Sequence, residues 1–380
     1  MSEATQYLLT PGPLTTSRAT KEAMLRDWGS RDTDFIALNK RVRDRLVALA
    51  GGTGTHVAVP LQGSGTFSVE AMIGSFVPPT GKLLILVNGA YGRRMAQMCQ
   101  YYRRAHLVYE TPEDTPPDPA EVDRLLAKDA AITHVAIVHC ETTSGILNPL
   151  AEVAAIVARR GRRLLIDAMS AFGALSLDAG EIAFDAMAAS ANKCLEGVPG
   201  MGFVIAREAA LAECAGNATS LSLDLHEQWR AMERTGQWRF TPPTHVIAAL
   251  ARALEQHAAE GGVAGRGGRY RRNCRILIDG LRALGFETLL PVVLQAPIIV
   301  TVHMPADPRF HFERFYDRML EQGYVIYTGK LTVADTFRIG CIGALGEREM
   351  RGALEAIRQT IREFGVKQCG RRAPARAASA

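Results

Sequence analysis

The chain has 380 residues, of which 47% are hydrophobic and 22% are charged, a composition typical of a globular protein with more than one domain. Its longest apolar runs, such as Leu83 to Val87, are far shorter than the roughly 20 residues that cross a membrane. The N-terminus lacks the basic and apolar segments of a secretory signal. Seven cysteines without a C-x-x-C pair argue against a disulfide framework or a zinc site. We therefore expect a cytoplasmic protein that has no membrane partner and holds no metal.

The net charge of +5 comes largely from the end of the chain, and without Lys367, Arg371, Arg372 and Arg376 it falls to +1. The last residues are small or basic and have little apolar surface to bury, so residues 367–380 are predicted to be a disordered tail. No other basic patch with interleaved aromatic residues is present, which argues against a nucleic-acid partner.

Short apolar runs alternate with helical patterns in the first half of the chain. The runs are residues 57–61, 83–87, 134–139, 164–167 and 202–206, and helical patterns occupy residues 67–76, 93–102, 119–128 and 151–160. This alternation predicts an α/β fold with a mostly parallel sheet covered by helices on both faces. Ligands of such sheets bind at the carboxyl ends of the strands.

A glycine-rich stretch at residues 260–268 is typical of a domain boundary. Beyond it, helices are predicted at 269–284, 312–322 and 347–364, and strands at 298–303, 325–327 and 336–339. We expect a large cofactor-binding domain at 14–259 and a smaller α/β domain made of 1–13 and 260–366.

Two charged residues are placed where they can carry chemistry. Asp167 ends an apolar strand, and Lys193 lies in a short turn followed by Gly-Val-Pro-Gly. A buried carboxylate is costly unless a cation or donor pairs with it. A lysine that forms a Schiff base and an acid that holds a ring nitrogen protonated are the two requirements of pyridoxal phosphate chemistry. A helix cap for Asp167 and a solvated loop position for Lys193 are the alternatives.

Three further features have two readings each. Gln-Gly-Ser-Gly-Thr (62–66) precedes a helical pattern and fits a phosphate cradle, but such loops also form plain strand-to-helix turns. Tyr91 follows an apolar strand and could stack on a flat ring or pack in the core. Arg338 could bind a carboxylate through two hydrogen bonds or form a structural salt bridge. The loop lacks the endings of nucleotide P-loop and dinucleotide motifs, which argues against a dehydrogenase.

Taken together, the motifs resemble those of the class V aminotransferases, which are fold-type I pyridoxal-phosphate enzymes. The resemblance covers about residues 8–364. It rests on Leu-Thr-Pro-Gly-Pro-Leu-Thr-Thr (9–16), Pro-Leu-Gln-Gly-Ser-Gly-Thr (60–66), Asn-Gly-Ala-Tyr-Gly (88–92), His-Cys-Glu-Thr-Thr-Ser-Gly-Ile-Leu-Asn-Pro (139–149), Ile-Asp-Ala-Met-Ser (166–170), Asn-Lys-Cys-Leu-Glu-Gly-Val-Pro-Gly (192–200), Gln-Trp-Arg-Phe-Thr-Pro-Pro-Thr-His (237–245) and Phe-Arg-Ile-Gly (337–340).

The resemblance implies a role for each site residue. Lys193 and Asp167 are then the catalytic pair, the lysine forming the Schiff base and the acid facing the ring nitrogen. The implied cofactor-binding residues also include Ser64, Gly65, Thr66 and Asn192 at the phosphate, Tyr91 on the ring, Thr142 or Thr143 near the ring hydroxyl, and Thr244 reaching the neighbouring subunit's cofactor. The last of these implies a homodimer with a shared site. Arg338 falls at the substrate-anion position, with Arg31 and Lys330 as candidates for additional anion binding.

Within the family, the motifs are most similar to the branch that moves the amino group of 2-aminoethylphosphonate to pyruvate. Tyr-Thr-Gly-Lys (327–330), Ala171 and the arginine at position 31 depart from that pattern and concern substrate recognition. The alternative within the family is an alanine or serine:glyoxylate aminotransferase. A cysteine desulfurase is disfavoured because Asn192 stands where a histidine is expected. A cofactor-binding transcriptional regulator would need a DNA-reading domain, for which no segment outside the match is long enough.

Overall fold

The computed structural model describes residues 6–327 and 332–371. Its strands are β1 (Tyr7–Leu9), β2 (His56–Gln62), β3 (Lys82–Val87), β4 (Ala105–Glu110), β5 (Ile132–Val138), β6 (Cys140–Glu141), β7 (Ile146–Leu147), β8 (Arg163–Asp167), β9 (Ala186–Ser190), β10 (Met201–Arg207), β11 (Ile299–His303), β12 (Tyr324–Ile326) and β13 (Thr336–Gly340). Its α-helices are α1 (Arg18–Glu22), α2 (Thr33–Leu49), α3 (Gly65–Phe76), α4 (Ala90–Tyr101), α5 (Pro119–Lys128), α6 (Leu150–Arg159), α7 (Glu208–Ala212), α8 (Leu225–Thr235), α9 (Thr244–Ala259), α10 (Gly262–Ala283), α11 (Phe312–Glu321) and α12 (Glu347–Glu363).

Seven strands form the central sheet in the order β2-β10-β9-β8-β5-β3-β4, in which only β10 runs antiparallel to its neighbours. Strand β3 shows why its sequence is continuously apolar. Leu83, Ile85 and Val87 point into one buried cluster, and Leu84 and Leu86 point into the other. Successive side chains of a strand alternate between faces, so a sheet buried on both faces needs apolar residues at every position. The predicted α/β fold is confirmed.

Different helices cover the two faces of the sheet. Helices α2, α5, α6 and α9 contribute buried residues to one cluster, and α3, α4, α7 and α8 contribute to the other. The inner parallel strands are therefore covered on both faces, and the candidate site residues lie at the carboxyl ends of the strands.

A smaller unit packs beside the sheet. In it, β1 pairs in parallel with β12, β11 pairs antiparallel with β13, and α10, α11 and α12 bury a separate apolar cluster against these strands. The first strand of the chain thus joins elements of its last third. The exact division at residues 13/14 and 259/260 stays a prediction.

The sequence patterns named only part of the elements, and helices α2, α8 and α9 were not among those predicted. Two other differences have a clear physical reason. Strand β4 was not predicted because it is a partly exposed edge strand with polar residues along it. Helix α10 begins at Gly262 rather than at residue 269, so the glycine-rich stretch is largely helical. A Cβ at Gly267 would lie 2.2 Å from the carbonyl oxygen of Ala174, so close backbone packing accounts for this glycine.

The end of the chain is ordered beyond its predicted limit. Cys369 is buried, the Lys367 and Gln368 amides donate to Asp307, and Arg371 forms a β-bridge with Pro305. Residues 372–380 of the predicted tail lie outside the described residues. In the described part of the chain, no helix is both long and apolar enough to cross a membrane.

The adjacent glycines of α10 provide a matched stability test. We expect Gly268→Ala to raise the free energy of unfolding by about 0.5–1 kcal/mol, because its Cβ meets only the Arg272 side chain at 3.7 Å and alanine favours a helix. Gly267→Ala should lower the melting temperature, because its Cβ would clash with a backbone oxygen. Thermal unfolding of both variants checks this; equal shifts would contradict the packing argument.

Candidate active site

A cavity of about 220 Å³ opens at the carboxyl edge of the central sheet. The loops after β2, β3, β8 and β9 surround it, as expected for a parallel sheet. It is lined by Gly12, Ser64, Gly65, Thr66, Val69, Tyr91, Arg94, Met95, Met98, Asp167, Met169, Ser190, Asn192 and Lys193. Seven of the residues predicted from sequence therefore line one cavity: Ser64, Gly65, Thr66, Tyr91, Asp167, Asn192 and Lys193.

Asp167 is the last residue of β8 and is 4% exposed. Its Oδ1 accepts a hydrogen bond of 2.9 Å from the Met169 amide. Burial raises the pKa of Asp167 to about 6, with Glu141 adding to the rise, while the Met169 amide and Lys193 oppose it. A cation bound beside Asp167 would favour its ionised form. A protonated ring nitrogen is such a cation.

Lys193 lies in the connection from β9 to β10, with its amine at the cavity. Burial lowers the pKa of Lys193, and Arg94 acts in the same direction, while Asp167 opposes it. The Lys193 amine donates to the Gly12 carbonyl at 3.4 Å. A Cβ at Gly12 would lie 2.8 Å from this amine, so residue 12 must be glycine if the lysine is to keep its place. A depressed pKa makes the neutral, nucleophilic amine more available near neutral pH.

The phosphate side of the cavity is built around the start of α3. Ser64 is the N-cap residue, and its side chain makes no capping hydrogen bond, which leaves the hydroxyl and the first amides of the helix for an anion. A Cβ at Gly65 would lie 2.2 Å from the Met169 sulfur, so glycine keeps this wall open. The buried Ser190 hydroxyl has no hydrogen-bond partner among the described residues. These groups fit a phosphate.

Glu141, fully buried, ties the loop after β5 to the start of α4. Its carboxylate accepts from the amides of Tyr91 at 3.2 Å, Gly92 at 3.4 Å and Thr143 at 3.0 Å, and from the Thr143 hydroxyl at 2.6 Å. The Thr143 hydroxyl also accepts from the Ala90 amide. Burial raises the pKa of Glu141, and these donors oppose the rise. Glu141 and Thr143 thus position the segment that carries Tyr91, and Thr143 faces the helix rather than the cavity.

Tyr91 and Arg338 meet at Thr142. The Thr142 side chain hydrogen bonds to Tyr91, and the Arg338 Nη1 donates to the Thr142 carbonyl at 2.9 Å. Arg338 is 1% exposed, and its guanidinium lies 4.5 Å from the centre of the Tyr327 ring. Arg338, a buried cation of the small unit, therefore lies next to the Tyr91 wall of the cavity.

Arg94 and Ser190 belong to the cavity but were not identified from the sequence. Arg94 follows Tyr91 by three residues on α4, so the two side chains share a helix face. Its guanidinium lies 5.0 Å from the centre of the Tyr91 ring, and its Nη1 donates to the Thr66 hydroxyl at 3.3 Å. This places a positive charge beside the phosphate side. The three-residue spacing was the available signal for Arg94.

Of the predicted residues that the structure describes, five do not line this cavity: Thr142, Thr143 and Arg338, which lie beside its Tyr91 wall, and Arg31 and Thr244. Arg31 lines a separate surface groove with Ser30 and residues 237–242, and Thr244, at the start of α9, follows that groove in sequence. Lys330 lies outside the described residues. The anion-binding role of Arg31 and Lys330, and the contact of Thr244 with a neighbouring subunit's cofactor, stay predictions.

Comparison with known proteins identifies relatives of the whole chain. Residues 18–330 match the model of the family described as aminotransferase class-V. The chain is 57% identical over 363 residues to the 2-aminoethylphosphonate--pyruvate transaminase 1 of Polaromonas sp. (strain JS666), covering 95% of this chain and 97% of that protein. It is 55% identical to the 2-aminoethylphosphonate--pyruvate transaminase of Pseudomonas aeruginosa (strain UCBPP-PA14), covering 96% and 98% respectively.

Solved structures share the fold at lower sequence identity. The pyridoxamine-pyruvate aminotransferase of Mesorhizobium loti superposes with a TM-score of 0.87 at 24% identity, covering 97% of this chain and 95% of that chain. The alanine--glyoxylate aminotransferase of Nostoc sp. also gives 0.87, at 23% identity, covering 95% and 96%. The family match and the relatives above 50% identity establish that this chain belongs to the class V aminotransferases, a family of pyridoxal phosphate enzymes.

Proposed function

We propose that this enzyme transfers the amino group of 2-aminoethylphosphonate to pyruvate and yields phosphonoacetaldehyde and L-alanine. The observation that carries the proposal is the identity of 55–57% along nearly the whole chain to relatives of that name. The cavity supports it, because Lys193, the buried Asp167 and the cation Arg94 line it and Arg338 lies beside its Tyr91 wall. An alanine or serine:glyoxylate aminotransferase is the alternative, and the Nostoc structure supports only the shared fold.

Each part of the cavity has a task in this reaction. Pyridoxal phosphate supplies an aldehyde that reacts with amines and a ring that accepts electrons. Ser64, Thr66, Asn192 and the start of α3 would hold its phosphate, and Asp167 would keep its ring nitrogen protonated. Tyr91 supplies a flat surface for the ring.

Lys193 and Arg338 act on the substrate. The neutral Lys193 amine takes a proton from the substrate carbon that bears the nitrogen, and later returns a proton in the transfer. Arg338 binds the phosphonate in the first half-reaction and the pyruvate carboxylate in the second, because a guanidinium pairs with either anion through parallel hydrogen bonds.

We further propose a homodimer in which Arg31 and Thr244 contribute to the partner's cavity. Support comes from their placement, because both lie by a surface groove away from the cavity of their own chain. Phe67, next to the phosphate loop, and Phe240, in that groove, are large apolar side chains that are half exposed in the single chain, as expected of an interface. The enzyme is proposed to work in the cytoplasm, in keeping with its seven free cysteines.

The amine donor is tested with the cofactor-loaded protein and one substrate at a time. We expect 2-aminoethylphosphonate alone to abolish the visible absorption band of the cofactor, and pyruvate to restore the band while alanine appears. If alanine or serine abolishes the band and 2-aminoethylphosphonate does not, the function belongs to the glyoxylate branch instead.

Lys193→Ala should lose the visible absorption band and turnover together, because no other amine is placed at the aldehyde-binding end of the described cavity. Lys128→Ala, which removes an exposed lysine at the end of α5, is the control and should keep both. Absorbance spectra and coupled alanine assays measure the two properties. Turnover that survives Lys193→Ala would refute the assignment.

Asp167→Asn should retain bound cofactor but lose roughly a hundredfold or more in kcat, because a neutral amide no longer stabilises a positive ring nitrogen. Asp185→Asn is the matched control. Asp185 is also buried, but it accepts from the Leu164 amide and pairs with Arg207 at the amino ends of the parallel strands, on the side of the sheet away from the cavity. Its loss should affect thermal stability more than kcat. An unchanged kcat in Asp167→Asn would exclude the electrostatic role.

A further inference from the structure

A cluster of charged residues is buried between the turn that carries Lys193 and helix α10. We call it the junction cluster; its members are Glu196, Glu260, Arg266, Arg269 and Tyr270. The Arg266 side chain is 1% exposed, the Glu196 side chain 5%, and Tyr270 is fully buried. Two arginines face two glutamates, so the charges balance. A buried cluster of this kind must satisfy nearly all of its donors and acceptors.

The junction cluster holds the Lys193 turn directly. The Glu196 amide donates to the Lys193 carbonyl at 2.8 Å, and Glu196 itself has a φ of 59°, which is uncommon for a residue other than glycine. Its Oε1 accepts from the Tyr270 hydroxyl at 2.5 Å and from Arg269 at 2.7 Å. Arg266 donates to the Cys194 carbonyl at 2.6 Å. Side chains of α10 therefore hold Cys194 and Glu196, two of the three residues that follow the lysine.

The same side chains also hold the segment that follows β13, the strand that carries Arg338. The Gly343 amide donates to the Tyr270 hydroxyl at 3.2 Å. Arg269 donates to the carbonyls of Gly343 and Leu345. The Tyr270 hydroxyl thus makes two hydrogen bonds: it donates one to the Glu196 carboxylate and accepts one from the Gly343 amide. It links the lysine turn of the large unit to the segment that directly follows the arginine strand of the small unit.

We propose that Glu196 and Tyr270 are positioning residues for amino transfer, which set the Lys193 amine and the Arg338 guanidinium in register across the two units. The inference rests on the proposed roles of those two residues. A substrate that binds Arg338 through its anion must present its nitrogen-bearing carbon to Lys193 at the same time. Because misplacement of reacting groups by about 1 Å can cost roughly a hundredfold in rate, the shared hydrogen bonds at Tyr270 act on the reaction as well as on stability.

A variant at Glu260 distinguishes an effect on positioning from an effect on stability. It pairs with the same two arginines, through Arg266 Nε at 2.6 Å and Arg269 Nε at 2.7 Å, and it lies at the far end of the cluster, after α9. Removing either glutamate leaves the arginines with one uncompensated charge, which is destabilising. Of the two, Glu196 is the one that belongs to the lysine turn. Glu260→Gln therefore reproduces the loss of charge and leaves the link to Tyr270 in place.

The test compares Glu196→Gln, Tyr270→Phe and Glu260→Gln as cofactor-loaded enzymes. The measurements are kcat and KM with 2-aminoethylphosphonate and pyruvate, and the midpoint of a pH titration of the cofactor's visible band. We expect the first two variants to lose roughly tenfold or more in kcat/KM and to shift the midpoint, since the Lys193 amine moves relative to Asp167 and Arg94. Glu260→Gln should retain kcat/KM within about twofold and keep the wild-type midpoint, even where its melting temperature falls.

Equal losses in all three variants would overturn the proposal, because they would show a general effect of the cluster on folding. Wild-type values in Tyr270→Phe would overturn it too. If Glu196→Gln does not fold, Tyr270→Phe decides, since the phenyl ring keeps its place in the apolar cluster around Cys194 and Ile342. The titration needs no amine donor, so a wrong assignment of the substrate would leave this test standing.

Discussion

Burial of opposite charges at the carboxyl edge of one parallel sheet is the constraint on which the active site depends. The two faces of the sheet are covered by helices, so Asp167 and the Lys193 turn lie in protein on most sides. Burial disfavours the charged form of both groups: it raises the pKa of Asp167 to about 6 and lowers that of Lys193. A positive ring nitrogen placed beside Asp167 would offset the cost of its charge, and a reaction that uses the neutral amine would need no charge on Lys193. The fold thus prepares the pair for this chemistry before any substrate arrives.

The same constraint explains why a second unit is needed. The sheet supplies the lysine, the acid and the phosphate cradle, whereas the buried Arg338 comes from a strand of the small unit. Rigid placement across such a boundary requires directional contacts, because apolar packing alone tolerates sliding. The Tyr270 hydroxyl between Glu196 and Gly343 supplies them, and the missing side chain at Gly267 lets α10 approach the backbone at Ala174. Gly267 in this helix serves close packing rather than flexibility.

Much of this could be predicted from the sequence, and the exceptions have physical reasons. Apolar strands followed by Asp167 and by the phosphate loop identified the sheet, its carboxyl edge and the cofactor. Composition could not show that the glycines of residues 262–268 are helical. Helix propensity reflects only the local cost of glycine in a helix, and tertiary contacts can outweigh that cost. Strand β4 was missed because an edge strand needs little apolar surface. The spacing from Tyr91 indicated that Arg94 shares a helix face with it, but only the packing of α4 and β9 shows that this face and Ser190 line the cavity.

Recognition of two different anions by one site sets a condition on the charges around it. A phosphonate can carry one more negative charge than the pyruvate carboxylate, so a second cation favours the first substrate. When pyruvate binds, that cation loses its partner, and a buried unpaired charge would be costly. Buried Arg338 therefore suits the charge common to both substrates, whereas the additional cation must be reachable by water in the second half-reaction. Arg31 is the predicted candidate for this additional cation. Its position on the proposed dimer-facing groove would make the distinction between phosphonate and carboxylate a property of the assembled dimer.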